Sequence, residues 1–347
     1  MESRKVQRVG YSTLSVSLPR DWVKDVKLKQ GDLVTFLQEK DGSLKLMPSN
    51  LVEREARTEE FIVNSDLCEE PGMLERIVVG NYILGREIIT ITSSDRLRST
   101  HVEKVRRMVR RLFGLGIVEE TPNRIVLQCS IDPAKFKIDM LIRRLSVIAS
   151  TMQSEAVQAL LEFQPKLAED AVRREDEADM VYWLALRLLF SAQRVRAIAD
   201  KTGLEDPLHI LYYGLIIRYL ELIADYAENI ARNAIQLEES YKGKISKEVA
   251  NSIGNLSDLA QNIFLKAMDC FFTGNIKIAH NLLEIRENIK KEHEILIKEL
   301  PQIPHLRTVI WSLARIADSG AGIAMMAINR ALEKPSKMCS PHVVKPL

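Results

Sequence analysis

Pairs of acidic residues four apart stand at two places in this chain: Glu175 and Asp179, with Asp176 beside them, and Glu221 and Asp225. On a helix that spacing projects both side chains from one face, about a turn apart. If the two helices pack antiparallel, the four carboxylates meet. Gathered together they would repel and resist ionisation unless a multivalent cation, or arginines such as Arg187 and Arg218, neutralised them. All-oxygen ligation suits Mg²⁺, Mn²⁺, Ca²⁺ or iron better than copper or zinc. Acidic pairs at this spacing are also common on solvated helix faces, so spacing alone leaves both readings open.

Cations concentrate in two other places. Between Arg98 and Arg111 stand Arg98, Lys104, Arg106, Arg107, Arg110 and Arg111 against the single Glu103. Val102, Val105, Met108, Val109 and Leu112 supply an apolar stripe there, and Arg106/Arg110 and Arg107/Arg111 form rows four apart. Such a helix could hold DNA, an acidic protein surface or another polyanion, or be a solvated face. The first 50 residues carry nine Lys and Arg against six Asp and Glu. There Lys5, Arg8, Arg20 and Lys24 are the candidates for phosphate contact.

No phosphate-cradling G-x-x-x-x-G-K-[ST] or G-x-G-x-x-G loop is present, and the histidines show no H-E-x-x-H spacing. No G-x-S-x-G nucleophile turn occurs. The expectation is a protein that is not an enzyme and takes no nucleotide or organic cofactor.

The elements that must position these residues follow from periodicity. Residues 5–48 alternate polar and apolar over short runs, with Pro19 at the start of a short helix and Asp41-Gly42 as a hairpin turn, giving the order β, short α, β, β. From 55 to 131 the pattern is α+β, with strands near 60–64, 87–92, 117–120 and 124–128 and two helices between them. The second helix is expected to start at a Thr100–Glu103 capping box and end near Phe113. After Asp132-Pro133, read as N-cap and first helical residue, the chain is helical to about Glu333. Breaks near Pro165, Asp206-Pro207, Gly243 to Ser246, Gly274-Asn275 and Pro301 to Pro304 define six long helices.

An internal repeat organises those helices. Leu220, Ile223, Ala224, Asp225, Ile230, Ala231, Ala234 and Ile235 return as Leu313, Ile316, Ala317, Asp318, Ile323, Ala324, Ala327 and Ile328, each at an offset of 93. That offset fits three helices per unit and places the repeated stretch on the third helix of each.

The chain has 347 residues, enough for several domains, and its formal net charge is only +2, so any pull toward nucleic acid comes from local patches. Four widely spaced cysteines signal neither a disulfide scaffold nor a zinc site. No transmembrane segment is expected, and the setting is expected to be cytoplasmic.

Two resemblances follow. Glu221-Leu-Ile-Ala-Asp225 with Asn229-Ile230, and Arg174-Glu175-Asp176-Glu177-Ala178-Asp179, make residues 136–333 similar to the PhoU family of phosphate-signalling regulators. The resemblance implies two three-helix repeats, with acidic residues on each repeat that hold metal ions. It makes Glu175, Asp179, Glu221, Asp225 and Asp318 the metal-site candidates. The second repeat departs from the pattern, with Ala314 in place of the first acidic residue and Gly322 in place of the asparagine. The strand ending at Val9-Gly10, the run to Leu18-Pro19-Arg20, the Trp22-Val23 helix, Leu28-Lys29-Gln30-Gly31-Asp32 and the Asp41-Gly42 hairpin resemble the AbrB/SpoVT family of swapped-hairpin DNA-binding domains. That resemblance implies a dimer on DNA.

The expected architecture is therefore multidomain: a small swapped-hairpin β-barrel (1–50), an α+β middle domain (51–131), and an all-α tandem pair of three-helix bundles (132–242 and 243–333), with a flexible tail (334–347). The expected function is a phosphate-responsive transcription regulator of phosphate uptake. It would be a homodimer or higher homo-oligomer that binds DNA and contacts a phosphate transporter ATPase or a sensor kinase. One alternative is a PhoU-like protein that docks on such a partner without binding DNA; another is a carboxylate-bridged metal storage or hydrolytic protein.

Overall fold

The computed structural model describes residues 3–38, 42–48, 60–204, 206–240, 245–299 and 303–340. Asp41 of the expected hairpin turn, the boundary at 50/51, Gly243, Pro301 and the end of the tail lie outside these residues. The chain divides into two compact units, before and after residue 60.

In the first unit, β1 (Gln7–Val9) pairs antiparallel with β2 (Thr13–Ser15), joined through Gly10 at φ +68°, where a left-handed turn favours a residue without Cβ. This strand pair precedes the short helix α1 (Arg20–Asp25), so the order is β, β, α, β, β, with one more strand than the sequence pattern gave. The β2 strand is also short, ending at Ser15 before the apolar Val16 and Leu18. β3 (Val34–Gln38) and β4 (Leu44–Pro48) form a second antiparallel pair, from Val34↔Pro48 to Gln38↔Leu44. The two pairs remain separate sheets, and Val6, Val9, Leu14, Val16, Phe36 and Leu44 stay exposed. A single chain this short does not bury its own apolar faces.

The second unit opens with a four-stranded sheet in the order β5-β6-β8-β7. β5 (Glu60–Asn64) runs parallel to β6 (Ile88–Thr92), which needs the crossover helix α2 (Met73–Ile83). β7 (Leu115–Thr121) and β8 (Arg124–Cys129) close the sheet antiparallel, with a register shift between Ile117 and Glu119. Leu74, Val78, Tyr82, Ile89, Ile91, Val105, Leu112 and Leu127 make this domain's core.

The helix between β6 and β7, α3 (Ser99–Arg111), starts earlier than the expected capping box. Its N-cap is Arg98, without a side-chain cap, and Thr100 lies inside the first turn. The cause is tertiary: the Leu97 amide donates to Pro122 O at 2.8 Å, which ties Leu97 down as a buried residue and turns the chain into helix immediately after it. Asp132 does act as a cap, accepting from the Ala134 amide at 2.9 Å, but of one 3₁₀ turn only. The long helix α4 (Ile138–Glu162) begins six residues later.

The remaining helices are α5 (Pro165–Arg194), α6 (Arg196–Thr202), α7 (Pro207–Ser240), α8 (Lys247–Thr273), α9 (Ile276–Glu299) and α10 (Pro304–Ala331). The six long helices fall between the expected breaks, and α6 is an addition, a short helix ended by Gly203 at φ +86°. The repeated stripes lie on α7 and α10, which pack on each other. Leu220, Ile223, Ile230, Leu313, Ile316 and Ile323 are all fully buried there, each stabilising by about 1.5–3 kcal/mol relative to exposure. One continuous core runs through both repeats. Across it, the Gln153 side-chain amide on α4 donates to Ser257 O and Oγ on α8, and Gln261 on α8 donates to Ser150 O and Oγ on α4. α7 is long and apolar enough to cross a bilayer by length and composition. Its apolar face is instead the centre of this core.

Candidate functional site

The two acidic pairs come together. α5 and α7 pack side by side; Asp179 feels the charges of Glu221 and Asp225, and Glu175 feels that of Asp179. All four are largely removed from water; the side chains of Asp179 and Glu221 are each 13% exposed. Burial first, and repulsion second, hold these carboxyls above the usual range. Glu221 is pushed up to about 7 by burial and by Asp225, against the opposing pull of Arg218. Glu175 and Asp179 are both raised, again by burial foremost, with Arg111 lowering them; burial also raises Asp225.

What sits among the carboxylates is a guanidinium from the other half of the unit. Arg111, the last residue of α3, places Nη2 3.0 Å from Glu175 Oε2 and 2.8 Å from Asp179 Oδ2, and Nε 2.7 Å from Asp176 Oδ1. The same guanidinium lies 5.6 Å from the centroid of the Trp183 ring. Arg218 pairs with Glu221, and Arg232 with Glu228 at 2.6 Å. Thus the densest cationic helix of the sequence meets the acidic helix α5 within one chain.

The other basic residues divide. Arg106 turns back to Glu120 of its own sheet at 2.6 Å. Arg107 and Arg110 are exposed. Arg187, expected as a counter-ion, is elsewhere: it is 1% exposed and donates from Nη1 to Tyr82 O at 2.6 Å and Arg86 O at 3.0 Å. Arg194 adds a bond to Leu84 O at 2.5 Å. These carbonyls lie at and just past the C-terminal end of α2, where Tyr82 O also accepts from the Gly85 amide at 3.0 Å, so α5 supplies the cationic C-cap that the last turn of α2 lacks. The signal was an arginine inside the apolar run from Val181 to Phe190.

Asp318 is apart from the four. It is clamped by Arg286, with Nε at 2.6 Å, and by Arg315. The second repeat has replaced a carboxylate pair with an arginine–aspartate–arginine cluster, as Ala314 at the place of Glu221 foreshadows.

The oxygen donors of the four carboxylates have the right chemistry for a hard cation. Their arrangement does not fit one: among the described residues no three acidic, histidine or cysteine side chains converge as a ligand set. The position that a cation shared by Glu175 and Asp179 would take is held by Arg111.

In the first unit Lys5, Arg8, Arg20 and Lys24 are all exposed. Arg8 donates to Tyr11 O at 2.6 Å, which fixes its head beside the Gly10 turn.

Comparison with known proteins finds two family matches within the chain. Residues 142–234 match the family model of the PhoU domain. That span covers the repeat which retains the acidic pairs. Residues 7–53 match the family model described as antidote-toxin recognition MazE, bacterial antitoxin. The crystal structure of PhoU from Pseudomonas aeruginosa is similar to this chain with a TM-score of 0.50 at 20% identity, over 57% of this chain and 96% of that one. At that identity the likeness is one of fold. No curated protein matches the chain.

Proposed function

From a chain that joins a MazE/AbrB-like domain to a PhoU domain, we infer a cytoplasmic, dimeric regulator that controls phosphate-uptake genes by binding DNA. The observation that carries the reading is the presence of both domain types in one chain, a DNA-binding type of module and a phosphate-signalling type of bundle. The domain limits proposed from sequence, 1–50, 51–131, 132–242 and 243–333, are kept for this reading.

Dimerisation is supported by the apolar residues that the first unit leaves exposed: interleaving with a second copy would cover Val9, Leu14, Phe36 and Leu44. DNA contact is assigned to Lys5, Arg8, Arg20 and Lys24, which are all exposed and placed to neutralise phosphates on a two-fold site, Arg8 with its head held at Tyr11 O. Regulation is assigned to the Arg111 clamp. Whatever changes the charge of the carboxylate cluster changes how tightly the α+β domain is held to the bundle, and β5, where that domain begins, follows the DNA-binding module in the chain. This is a claim of differential affinity between two states, and no step in it runs through a metal ion.

The experiment is genome occupancy of the tagged protein in phosphate-replete and phosphate-starved cells, beside the Arg8→Ala/Arg20→Ala/Lys24→Ala variant. Discrete sites near phosphate-transport genes that shift with phosphate and vanish in the variant are expected. Occupancy no higher than the untagged control would refute the reading and leave a docking protein for a transporter or kinase.

A further inference from the structure

A cavity of about 560 Å³ opens where α2, α3 and α5 meet. That volume is in the range of sites for small organic ligands. Its floor is apolar, built from Val79, Ile83, Met108 and the indole of Trp183, while Arg76, Lys104, Arg107 and Arg111 supply its charge. The only acid in the lining, Glu75, is already paired with Lys104 at 2.9 Å.

Two of these cations are free for a ligand. Arg107 is exposed and has no hydrogen-bond or ion-pair partner among the described residues. Arg76 makes one long bond, to Pro71 O at 3.4 Å. An independent sign comes from Gly80, in the interior of α2 and on the cavity wall. A glycine there costs the helix about 1 kcal/mol against alanine. It has helical φ, and a Cβ built on it would meet nothing within 4 Å. Neither backbone nor packing calls for glycine here; what its missing side chain leaves is open cavity.

We propose that this cavity is a binding site for a small phosphorylated aromatic anion of the nucleoside mono- or diphosphate class, with the ring on Met108 and Trp183 and the phosphate between Arg76 and Arg107. An inorganic anion would leave the apolar floor wet, and an aliphatic acid would use one cation of three arginines. Arginine's planar fork favours phosphoryl oxygens, and the indole face suits a flat ring. The site lacks any phosphate-cradling loop, so it binds without nucleotide chemistry. It also shares Arg111 with the carboxylate cluster, so an occupant offers that guanidinium an alternative partner. The inference is independent of whether the first unit binds DNA.

The test is calorimetric titration of the full-length protein with AMP, ADP, GMP, GDP, inorganic phosphate and pyrophosphate, with tryptophan fluorescence followed in parallel. Saturable binding of at least one nucleotide is expected, stronger than either inorganic anion. Arg76→Ala/Arg107→Ala should weaken it by about ten-fold or more, since charge-assisted bonds are lost. Gly80→Leu, which fills the cavity from an open wall, should abolish it, and Gly80→Ala should not. No saturable nucleotide binding up to millimolar concentration overturns the proposal. Binding that survives both the double arginine variant and Gly80→Leu also overturns it, by locating the ligand elsewhere. Equal affinity for pyrophosphate overturns the aromatic half of the assignment.

Discussion

Arg111→Ala removes one guanidinium and strands three carboxylates. Its partners Asp179 and Glu175 are 13% and 20% exposed, and Arg111 itself 33%, so the cluster lies between two regimes. Breaking a buried pair costs about 3–5 kcal/mol, and an exposed pair is worth about 0–1 kcal/mol. The expected loss is about 2–3 kcal/mol at pH 8. It should shrink on acidification. Burial already raises the folded-state values of Glu175 and Asp179, and without Arg111 they rise further. The native state then takes up protons that the unfolded chain does not, and stability recovers as pH falls. Urea unfolding of the full chain followed by far-ultraviolet circular dichroism, at pH 8 and pH 5, reads both numbers. Adding Glu175→Gln and Asp179→Asn to the variant should restore most of the loss at pH 8. The single variant also vacates the guanidinium shared by Glu175 and Asp179, so Mn²⁺ should raise its unfolding midpoint and leave that of the parent unchanged. A loss below about 0.5 kcal/mol, or one equal at both pH values, would refute the view of Arg111 as counter-ion to the cluster.

Glu221→Gln should stabilise at pH 8, because the folded value near 7 exceeds the unfolded one and this group's penalty grows from about pH 4.5 to 7. The unscreened shift corresponds to about 3 kcal/mol, reduced to about 1–2 by solvent, and the difference should fall to a small fraction of this near pH 5 in the same urea assay. Arg187→Met keeps volume but removes the charged donor from Tyr82 O and Arg86 O at a buried position, and a loss of about 1.5–3 kcal/mol is expected; an unchanged midpoint would contradict the cap. Gly320→Ala puts a Cβ 2.9 Å from the Phe264 amide nitrogen, forcing α8 and α10 apart at about 1–3 kcal/mol, measurable as a lowered thermal midpoint. If alanine is tolerated there, the helices are not in the close contact described.

The helical half was legible because its signals are local or periodic: Pro165, Pro207, Gly274 and Pro304 mark breaks, and the offset of 93 marks the pair of helices that meet. The fork of Arg111 among the carboxylates was only half visible. Composition showed a basic helix and acidic helices, but residues 64 and 68 positions apart have no spacing rule to join them. Arg187 was misassigned for the same reason: its partners are backbone carbonyls about a hundred positions away, and carbonyls leave no mark on a sequence. The α3 start was misread because a tertiary bond at Leu97 overrode the local capping pattern. The reciprocal Gln153–Ser257 and Gln261–Ser150 bridges are made by glutamine and serine, residue types that most often face water.

The single core through both repeats has a consequence for how the two copies could diverge. The helices that carry the repeat are held by buried aliphatic stripes that are alike in both, and those stripes do not depend on which charged groups decorate the opposite faces. One duplicate was therefore at liberty to keep an acid cluster answering to a neighbouring domain while the other exchanged it for an arginine clamp on Asp318. The bundle is in that sense a common chassis with two differently wired sides, and a substitution that rewires one side need not be felt by the other.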